Sequence, residues 1–480
     1  MRRDIKQTII KNTASLLFGG LASQFLSFLA VVYLARILGP SDFGKINFAM
    51  AVVIYFTLVA DLGLPILGTR EIARQKNKVR DYLGNILSLR FILALLAFAA
   101  LLVFTYFLNK PLEIKQLLII FGLGLFTSAL LPEWAFQGMQ KMEYVGLGKI
   151  VANLLFLVLV LKFVNSSQQL SWIPWIRLGS AAVAMVLLLF LIVRLFGWPR
   201  FNFNFSILSK LLSKASPLGL SLIMAQIFYN IDTVMLGFMR TDAEVGYYNA
   251  AYKIILVIIF LAGSYHDAIF PLLSNYYKTS LDSLKRLLRQ TQKLMAILGF
   301  PIVIGGAVLA RPIINLLYKS VYSEAAVAFQ ILIWSVIIIY FNTTYSRGLV
   351  ACNREKWFLL GTTIPAIFNI AANYLLIPRF GISGAAFTTV LSEMLGFAIM
   401  FAGFGKITHV PFLEYCYKPL IASVGMMIFL LWGLGRDLNL FVLIGNGIIF
   451  YTGFLFLIRG ITLDDFGKFK RVFINETIAD

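Results

Sequence analysis

The sequence consists of long apolar runs separated by short charged segments. Fourteen such runs, each of about twenty residues, lie between Thr13 and Ile458. A run of this length crosses the roughly 30 Å hydrocarbon core of a bilayer as one helix. Hydrophobic residues make up 60% of the chain and charged residues 13%, which is more apolar surface than a globular core buries. The pattern predicts an all-α integral membrane protein with about 14 transmembrane helices, and it excludes an ordinary soluble enzyme.

Few residues are suited to catalysis or metal binding. The only cysteines are Cys352 and Cys416, and the only histidines are His266 and His409. These numbers exclude a disulfide framework and a histidine-rich metal site. The sequence has no phosphate-binding glycine loop and no nucleophile-base-acid pattern. We therefore predict that the protein is not an enzyme and has no resident cofactor or metal.

The basic residues follow the expected membrane topology. The net charge is +20, but Lys and Arg occur in clusters between apolar runs rather than along one polar face, so we do not expect a nucleic-acid partner. With a cytoplasmic N-terminus, 30 of the 42 Lys and Arg residues fall on the inner side. The positive-inside rule then predicts a multi-pass protein of the cell membrane with both termini in the cytoplasm. The first span is expected to be an uncleaved anchor.

Two halves of the chain share a pattern. Gly44-x-x-Asn47-x-Ala49 recurs 202 positions later as Gly246-x-x-Asn249-x-Ala251, and Pro174 recurs as Pro378 at a shift of 204. Because six spans separate equivalent positions, the halves should have the same orientation in the membrane. We predict two pseudo-symmetric six-helix bundles, residues 1–196 and 217–404, with a cleft between them. Residues 197–216 would be a cytoplasmic linker, and residues 405–480 would add two helices and a cytoplasmic tail.

Ionisable residues inside predicted spans are costly and are therefore candidate functional groups. Asp232 and Lys253 lie at similar depth below the outer surface, and they predict an ion pair that is either structural or functional. Glu393 is the acid nearest the membrane midplane, and we consider it first for ion coupling. Asp61 lies near an inner helix end. His266 is expected at the inner interface.

A polar stripe is predicted on the seventh span. Gln226, Asn230 and Thr233 fall on one side of a helical wheel, and Asp232 lies off that side. The stripe either lines a cleft or forms hydrogen bonds between helices.

An amphipathic segment, SLDSLKRLLRQ within residues 271–293, is expected to form a basic helix at the inner membrane surface.

Several motifs, in this order and spacing, resemble those of the Wzx-type polysaccharide flippases, a branch of the multidrug/oligosaccharidyl-lipid/polysaccharide exporter superfamily. The resemblance covers twelve of the fourteen predicted spans. The motifs are Arg36-Ile-Leu-Gly-Pro40-x-x-x-Gly44, Asp61-Leu-Gly-Leu64, Arg70-Glu-Ile-Ala73, Pro132-Glu-Trp-Ala-Phe-Gln-Gly138, Val245-Gly-Tyr-Tyr-Asn-Ala-Ala-Tyr-Lys253 and Ile377-Pro-x-x-Gly381-Ile-x-Gly384-Ala-Ala386.

The resemblance implies a V-shaped transporter that flips a polyprenyl-diphosphate-linked oligosaccharide from the inner to the outer leaflet by alternating access, for O-antigen, capsule or exopolysaccharide synthesis. Its partners would be this glycolipid, membrane lipid, and a polysaccharide polymerase with other assembly proteins. The last two helices would hold the lipid tail, as in similar lipid II flippases. Arg36, Lys253 and Arg347 would bind the diphosphate, with Gln226 and Asn230 as further substrate-binding candidates. Coupling to H⁺ or Na⁺ would involve Asp232, Glu393 or Asp61.

Three alternatives remain at this stage. One is a scaffold for surface-polymer assembly, which would not require paired bundles. A cation-coupled multidrug exporter of the same superfamily would have the same bundle architecture but an apolar, acid-lined cleft. A membrane-embedded glycan polymerase or ligase would need a sizeable outer loop with catalytic side chains, and no predicted outer loop exceeds about ten residues.

Overall fold

The computed structural model describes residues 2–201, 205–408 and 413–462, with side chains from residue 18 onward except at 205–207, 217, 218, 221, 222 and 225. His409 and the predicted cytoplasmic tail after residue 462 lie outside the described residues. The regular secondary structure of the described ranges is helical. The α-helices are α1 (Arg2–Asp61), α2 (Leu64–Arg74), α3 (Val79–Phe107), α4 (Leu112–Gly122), α5 (Gly124–Leu130), α6 (Glu133–Gly138), α7 (Met142–Phe163), α8 (Trp172–Phe196), α9 (Phe205–Met239), α10 (Asp242–Thr279), α11 (Leu281–Val308), α12 (Ala310–Tyr318), α13 (Ala325–Ala351), α14 (Glu355–Gly405), α15 (Leu413–Leu434) and α16 (Leu440–Leu457).

These helices account for the predicted membrane passes. Within the described residues, 11 helical segments are long and apolar enough to cross a membrane. Two of them are broken at a glycine, α1 at Gly39 (φ 74°) and α14 at Gly381 (φ 55°), and each is long enough for two passes. Glycine takes up this left-handed backbone without a Cβ clash, and Pro40 and Pro378 beside the breaks each remove a helical hydrogen bond. With the 35-residue α9, these segments confirm the predicted all-α membrane fold of about fourteen passes.

The chain divides into two compact units, residues 1–249 and 250–480, with the boundary inside α10. The core of the first unit contains Leu64, Leu83, Trp134 and Leu188, contributed by α2, α3, α6 and α8. The second unit has one core around Tyr345 and Phe404 and another that joins α11, α15 and α16. The bundle boundaries inferred from the repeat remain a prediction.

The predicted linker, residues 197–216, is helical from Phe205 onward, because α9 begins there. Leu211 and Ala215 are buried in the first unit's core, and Leu208 and Leu212 pack against it. Their spacing of three, four and seven residues puts them on one face of a helix. This stretch is therefore an extension of a membrane helix rather than a free connection.

The basic segment SLDSLKRLLRQ does not form a separate surface helix. It forms the first turns of α11, and the Ser280 hydroxyl caps the helix by accepting a 3.3 Å hydrogen bond from the Ser283 backbone N–H. Leu284, Leu287 and Leu288 are buried in the core around Tyr345. The apolar face of this amphipathic helix thus packs against protein, which corrects the expectation of an interfacial helix.

The sequence repeat is visible in local structure. The break at Gly39 corresponds, at the 202-residue shift, to the break between α9 and α10. Asn47 Nδ2 donates to the Phe43 carbonyl at 2.8 Å, and Asn249 Nδ2 donates to the Val245 carbonyl at 2.9 Å. The two copies of the motif therefore adopt the same side-chain arrangement at the start of equivalent helices.

The two copies also pack directly against each other within the first unit. A Cβ atom on Gly44 would lie 2.8 Å from the Asp242 carbonyl carbon and 2.9 Å from the Gly246 nitrogen. A Cβ atom on Gly246 would lie 2.8 Å from the Pro40 carbonyl carbon, and each would overlap the neighbouring carbonyl oxygen. Only glycine allows the two backbones to approach this closely.

Candidate functional site

The polar stripe on α9 is divided between two environments. Asn230 Nδ2 donates to the Gln226 side-chain oxygen at 2.9 Å and to its backbone carbonyl at 3.1 Å, so these half-buried side chains form one polar group. Thr233 is buried and accepts a 3.2 Å hydrogen bond from Asn249 of α10. The stripe thus combines a polar pair on α9 with a contact between helices.

Asp232 is buried, with 3% of its surface exposed. The Tyr248 hydroxyl of α10 donates to its carboxylate Oδ2 at 2.6 Å. Tyr248 belongs to the Val245–Lys253 motif, but it carries no charge and was not predicted as a site residue. The half-buried Lys253 lies in the other compact unit, and its predicted ion pair with Asp232 stays a prediction.

Asp61 forms an ion pair inside the first unit. Arg90 of α3 donates to Asp61 Oδ1 from Nη2 at 2.5 Å and from Nε at 3.1 Å. The same guanidinium donates to the carbonyls of Ser128 (2.7 Å) and Leu131 (3.1 Å). Arg90 is only 3% exposed. Four hydrogen bonds satisfy this buried cation, so the pair joins α1, α3 and α5 in a structural network.

His266 and Arg347 lie in the second unit. His266 is fully buried on α10, with Nδ1 2.7 Å from the Ala262 carbonyl and Nε2 2.8 Å from Thr344 Oγ1. Since α10 continues to Thr279, His266 is inside the helix packing and not at a helix end as expected from the sequence. The Arg347 guanidinium is partly exposed and contacts the Asp267 carboxylate at 2.6 Å.

Glu393 lies in the second pass of α14 and is 6% exposed. The Asn342 side chain of α13 lies near its carboxylate. The hydroxyls of Thr389 and Ser392 beside it donate to backbone carbonyls of their own helix, at 3.0 and 2.7 Å. A carboxylate buried with an amide donor is a typical arrangement for ion exchange in a membrane.

Arg36 is exposed near the end of the first pass of α1. It belongs to the first unit, whereas Lys253 and Arg347 belong to the second. Their convergence on one substrate group stays a prediction.

The C-terminal helices α15 and α16 contribute to an apolar cavity of about 450 Å³ in the second unit. The Tyr451 hydroxyl at its wall donates to the Ile297 carbonyl at 2.8 Å and thereby ties α16 to α11. Other wall residues are Ile254, Pro301, Met426 and Ile448. The cavity suits a hydrocarbon group.

Comparison with known proteins identifies the family. A family model described as polysaccharide biosynthesis protein matches residues 9–277, more than half of the chain. The chain belongs to this family. A second model, described as lipid II flippase MurJ, matches residues 149–444. The expected place among the polysaccharide flippases is thus confirmed.

Individual relatives agree with the family assignment. An Escherichia coli K12 protein named "Putative O-antigen transporter" is 23% identical over 390 residues, which cover 79% of this chain and 92% of that protein. A structure of lipid II flippase MurJ in an inward closed conformation is 17% identical, with a TM-score of 0.77 over 94% of this chain and 98% of that chain. An inward-facing MATE multidrug transporter is 16% identical, with a TM-score of 0.65 over 80% of this chain and 94% of that chain.

Proposed function

We propose that this protein flips a polyprenyl-diphosphate-linked oligosaccharide from the inner to the outer leaflet of the cell membrane, for surface polysaccharide biosynthesis. The observation that carries the proposal is that two family models, one of polysaccharide biosynthesis proteins and one of lipid II flippases, overlap across residues 149–277. The MurJ fold extends over nearly the whole chain. Both points support a carrier that moves its substrate without chemical conversion.

The substrate explains why a carrier is needed. Moving one unbonded hydroxyl into hydrocarbon costs roughly 4–8 kcal/mol, so an oligosaccharide with a diphosphate faces a barrier well above about 30 kcal/mol. Even at about 30 kcal/mol, one crossing takes on the order of decades. A hydrated passage removes most of this cost while the prenyl chain stays in lipid. Cationic side chains in a low-dielectric passage offset the phosphate charge.

Substrate contacts are assigned to polar groups of both units. Arg36, Lys253 and Arg347 would neutralise the diphosphate, and the Gln226–Asn230 pair would hydrogen-bond to sugar hydroxyls. Arg347 would have to exchange its contact with Asp267, which the partial exposure of both side chains permits. The apolar cavity beside α15 and α16 would hold the prenyl chain. With both termini in the cytoplasm, the sugar enters from the side on which it is assembled.

Coupling to an H⁺ or Na⁺ gradient is assigned to Glu393. It is buried in α14 near the Asn342 side chain of α13, so gain or loss of a cation there would change the packing between these two helices. Asp232 is a second coupling candidate, because its hydrogen bond to Tyr248 joins α9 to α10. Asp61 is held by Arg90 and is better suited to a structural role.

The test is transbilayer movement in proteoliposomes containing the purified full-length protein. Lipid-linked oligosaccharides with a fluorescent sugar would be mixed into both leaflets, and an impermeant reductant would report the outer fraction over time. Protein-dependent movement of at least one glycolipid supports the proposal. Rates equal to those of protein-free vesicles across several neutral and acidic glycans would overturn it.

A cation-coupled multidrug exporter is the alternative, because the MATE fold matches most of the chain. Ethidium efflux from the same vesicles, driven by a proton or sodium gradient, separates the two functions. Gradient-driven dye movement without glycolipid movement would favour the exporter.

A further inference from the structure

A partly open cavity of about 370 Å³, with charged, amide and hydroxyl side chains in its wall, lies in the first unit. It is distinct from the candidate substrate contacts described above, and none of its residues was assigned a role there. Its charged lining residues are Glu133 at the start of α6, Lys149 on α7 and Arg177 on α8. Asn153, one turn after Lys149, and the hydroxyl residues Thr127 and Ser128 complete its polar wall.

The two cations of this cavity have few partners in the described part of the chain. Arg177 Nη1 donates to Asn153 Oδ1 at 3.5 Å, and its guanidinium stacks 4.9 Å from the centre of the Phe156 ring. No carboxylate of the described residues lies within 4.0 Å of the side-chain nitrogens of Lys149 or Arg177. Glu133, with no ion pair in the same residues, lies close enough to interact electrostatically with Lys149 and Arg90.

Arg90 of the same unit shows how this fold satisfies a structural arginine. It has a carboxylate and two carbonyls around one guanidinium. Arg177 lacks such a set, although both residues belong to membrane helices where a bare charge is costly. A cation that the fold orients on an aromatic ring but does not neutralise is available to a ligand.

We propose that this cavity binds an oxyanion, a phosphate or carboxylate group, between Arg177 and Lys149. A guanidinium and an ammonium match oxyanion geometry, and the amide and hydroxyl groups can complete the hydrogen bonds. Glu133 interacts with Lys149 and Arg90, and its negative charge selects a ligand of low charge over a polyanion. The volume is many times that of one water molecule, so the oxyanion can carry a larger group. The oxyanion comes either from aqueous solution as a free ion or from the transported glycolipid, and the second source rests on the proposed function.

The proposal is tested by binding to the purified full-length protein, without a transport assay. Thermal unfolding and titration calorimetry would be run with inorganic phosphate, with glucuronate and with polyprenyl phosphate. Sodium chloride at equal ionic strength would serve as reference. Saturable stabilisation by phosphate or glucuronate assigns the site to a free ion, and stabilisation by polyprenyl phosphate alone assigns it to the glycolipid. No stabilisation beyond chloride by any probe overturns the proposal.

Matched variants locate the binding. Arg177→Gln and Lys149→Gln should each weaken it about tenfold or more, because each removes a charge-assisted hydrogen bond. Arg194→Gln, an exposed arginine of the same helix α8 outside the cavity, should bind like the native protein. Lys149 is exposed, so Lys149→Gln should leave the fold intact. If Arg177→Gln misfolds, Lys149→Gln still tests whether the cavity binds the oxyanion. Native affinity in Lys149→Gln would contradict the site.

Discussion

Replacing either glycine of the repeated motif should separate two helices that now touch. In Gly44→Ala, the new methyl group would lie 2.8 Å from the Asp242 carbonyl carbon, whereas carbon atoms pack at about 3.5–4.0 Å. The Asp242 carbonyl oxygen would lie closer still, so the helices must move apart by more than about 1 Å. Overpacking of this kind costs about 1–3 kcal/mol, which is about a 5- to 150-fold change in the equilibrium constant for the packed arrangement. Gly246→Ala should have the same effect, because its Cβ would meet Pro40 from the other side.

Spin labels at the exposed positions Ser41 and Thr241, on either side of this contact, would measure the effect. Both alanine variants should shift the distance distribution toward longer separations and lower the melting temperature. Gly179→Ala is the control, since no atom lies within 4 Å of its added Cβ. The packing argument is refuted if both motif variants give the distances and melting temperature of this control.

Other substitutions address the charged groups. Arg90→Ala should destabilise the protein by about 3–5 kcal/mol in thermal unfolding, because it leaves Asp61 and two carbonyls without their donor; Asp61→Asn keeps an acceptor and should cost less. Lys253→Ala should abolish flipping in vesicles while the protein stays folded, and normal flipping would remove this residue from the substrate site. Glu393→Gln should make flipping insensitive to an imposed ion gradient, and an unchanged response would exclude it from coupling. Burial raises the pKa of the Cys352 thiol to about 11, although nearby Arg354 opposes the shift. Iodoacetamide reacts with the thiolate, so labelling of Cys352 should be slow at pH 7. The labelling rate should rise about tenfold per pH unit up to about pH 10. Fast labelling at pH 7 would contradict the burial of this thiol.

The membrane fold was predictable because lipid imposes a simple rule on sequence. Apolar runs of fixed length gave the passes, and glycine and proline marked the breaks in α1 and α14. The surroundings of individual helical segments were less predictable, because the spacing of apolar residues does not show whether a helical face contacts lipid, water or protein. For this reason the sequence did not show that residues 208–215 and the basic start of α11 pack against protein.

Charged side chains were also predictable only in part. The sequence identified Asp61, Asp232 and Glu393 as unusual, but not their partners Arg90, Tyr248 and Asn342, since each partner comes from a different helix. The cavity around Arg177 was missed because its cations look singly like residues reaching toward the membrane surface. Only the fold puts Lys149 and Arg177 at the wall of one cavity.

At the contact between Gly44 and Gly246, the two copies of one motif pack against each other. Two identical subunits meet in the same way across a twofold axis. In a symmetric dimer, one mutation would alter both sides of the interface at once. Here the two sides are encoded separately, so one copy can diverge while the other keeps its shape. The clearance at each glycine is nevertheless set by the backbone of the opposite copy. Selection on either motif therefore depends on the state of the other, even though 202 positions separate them in the chain.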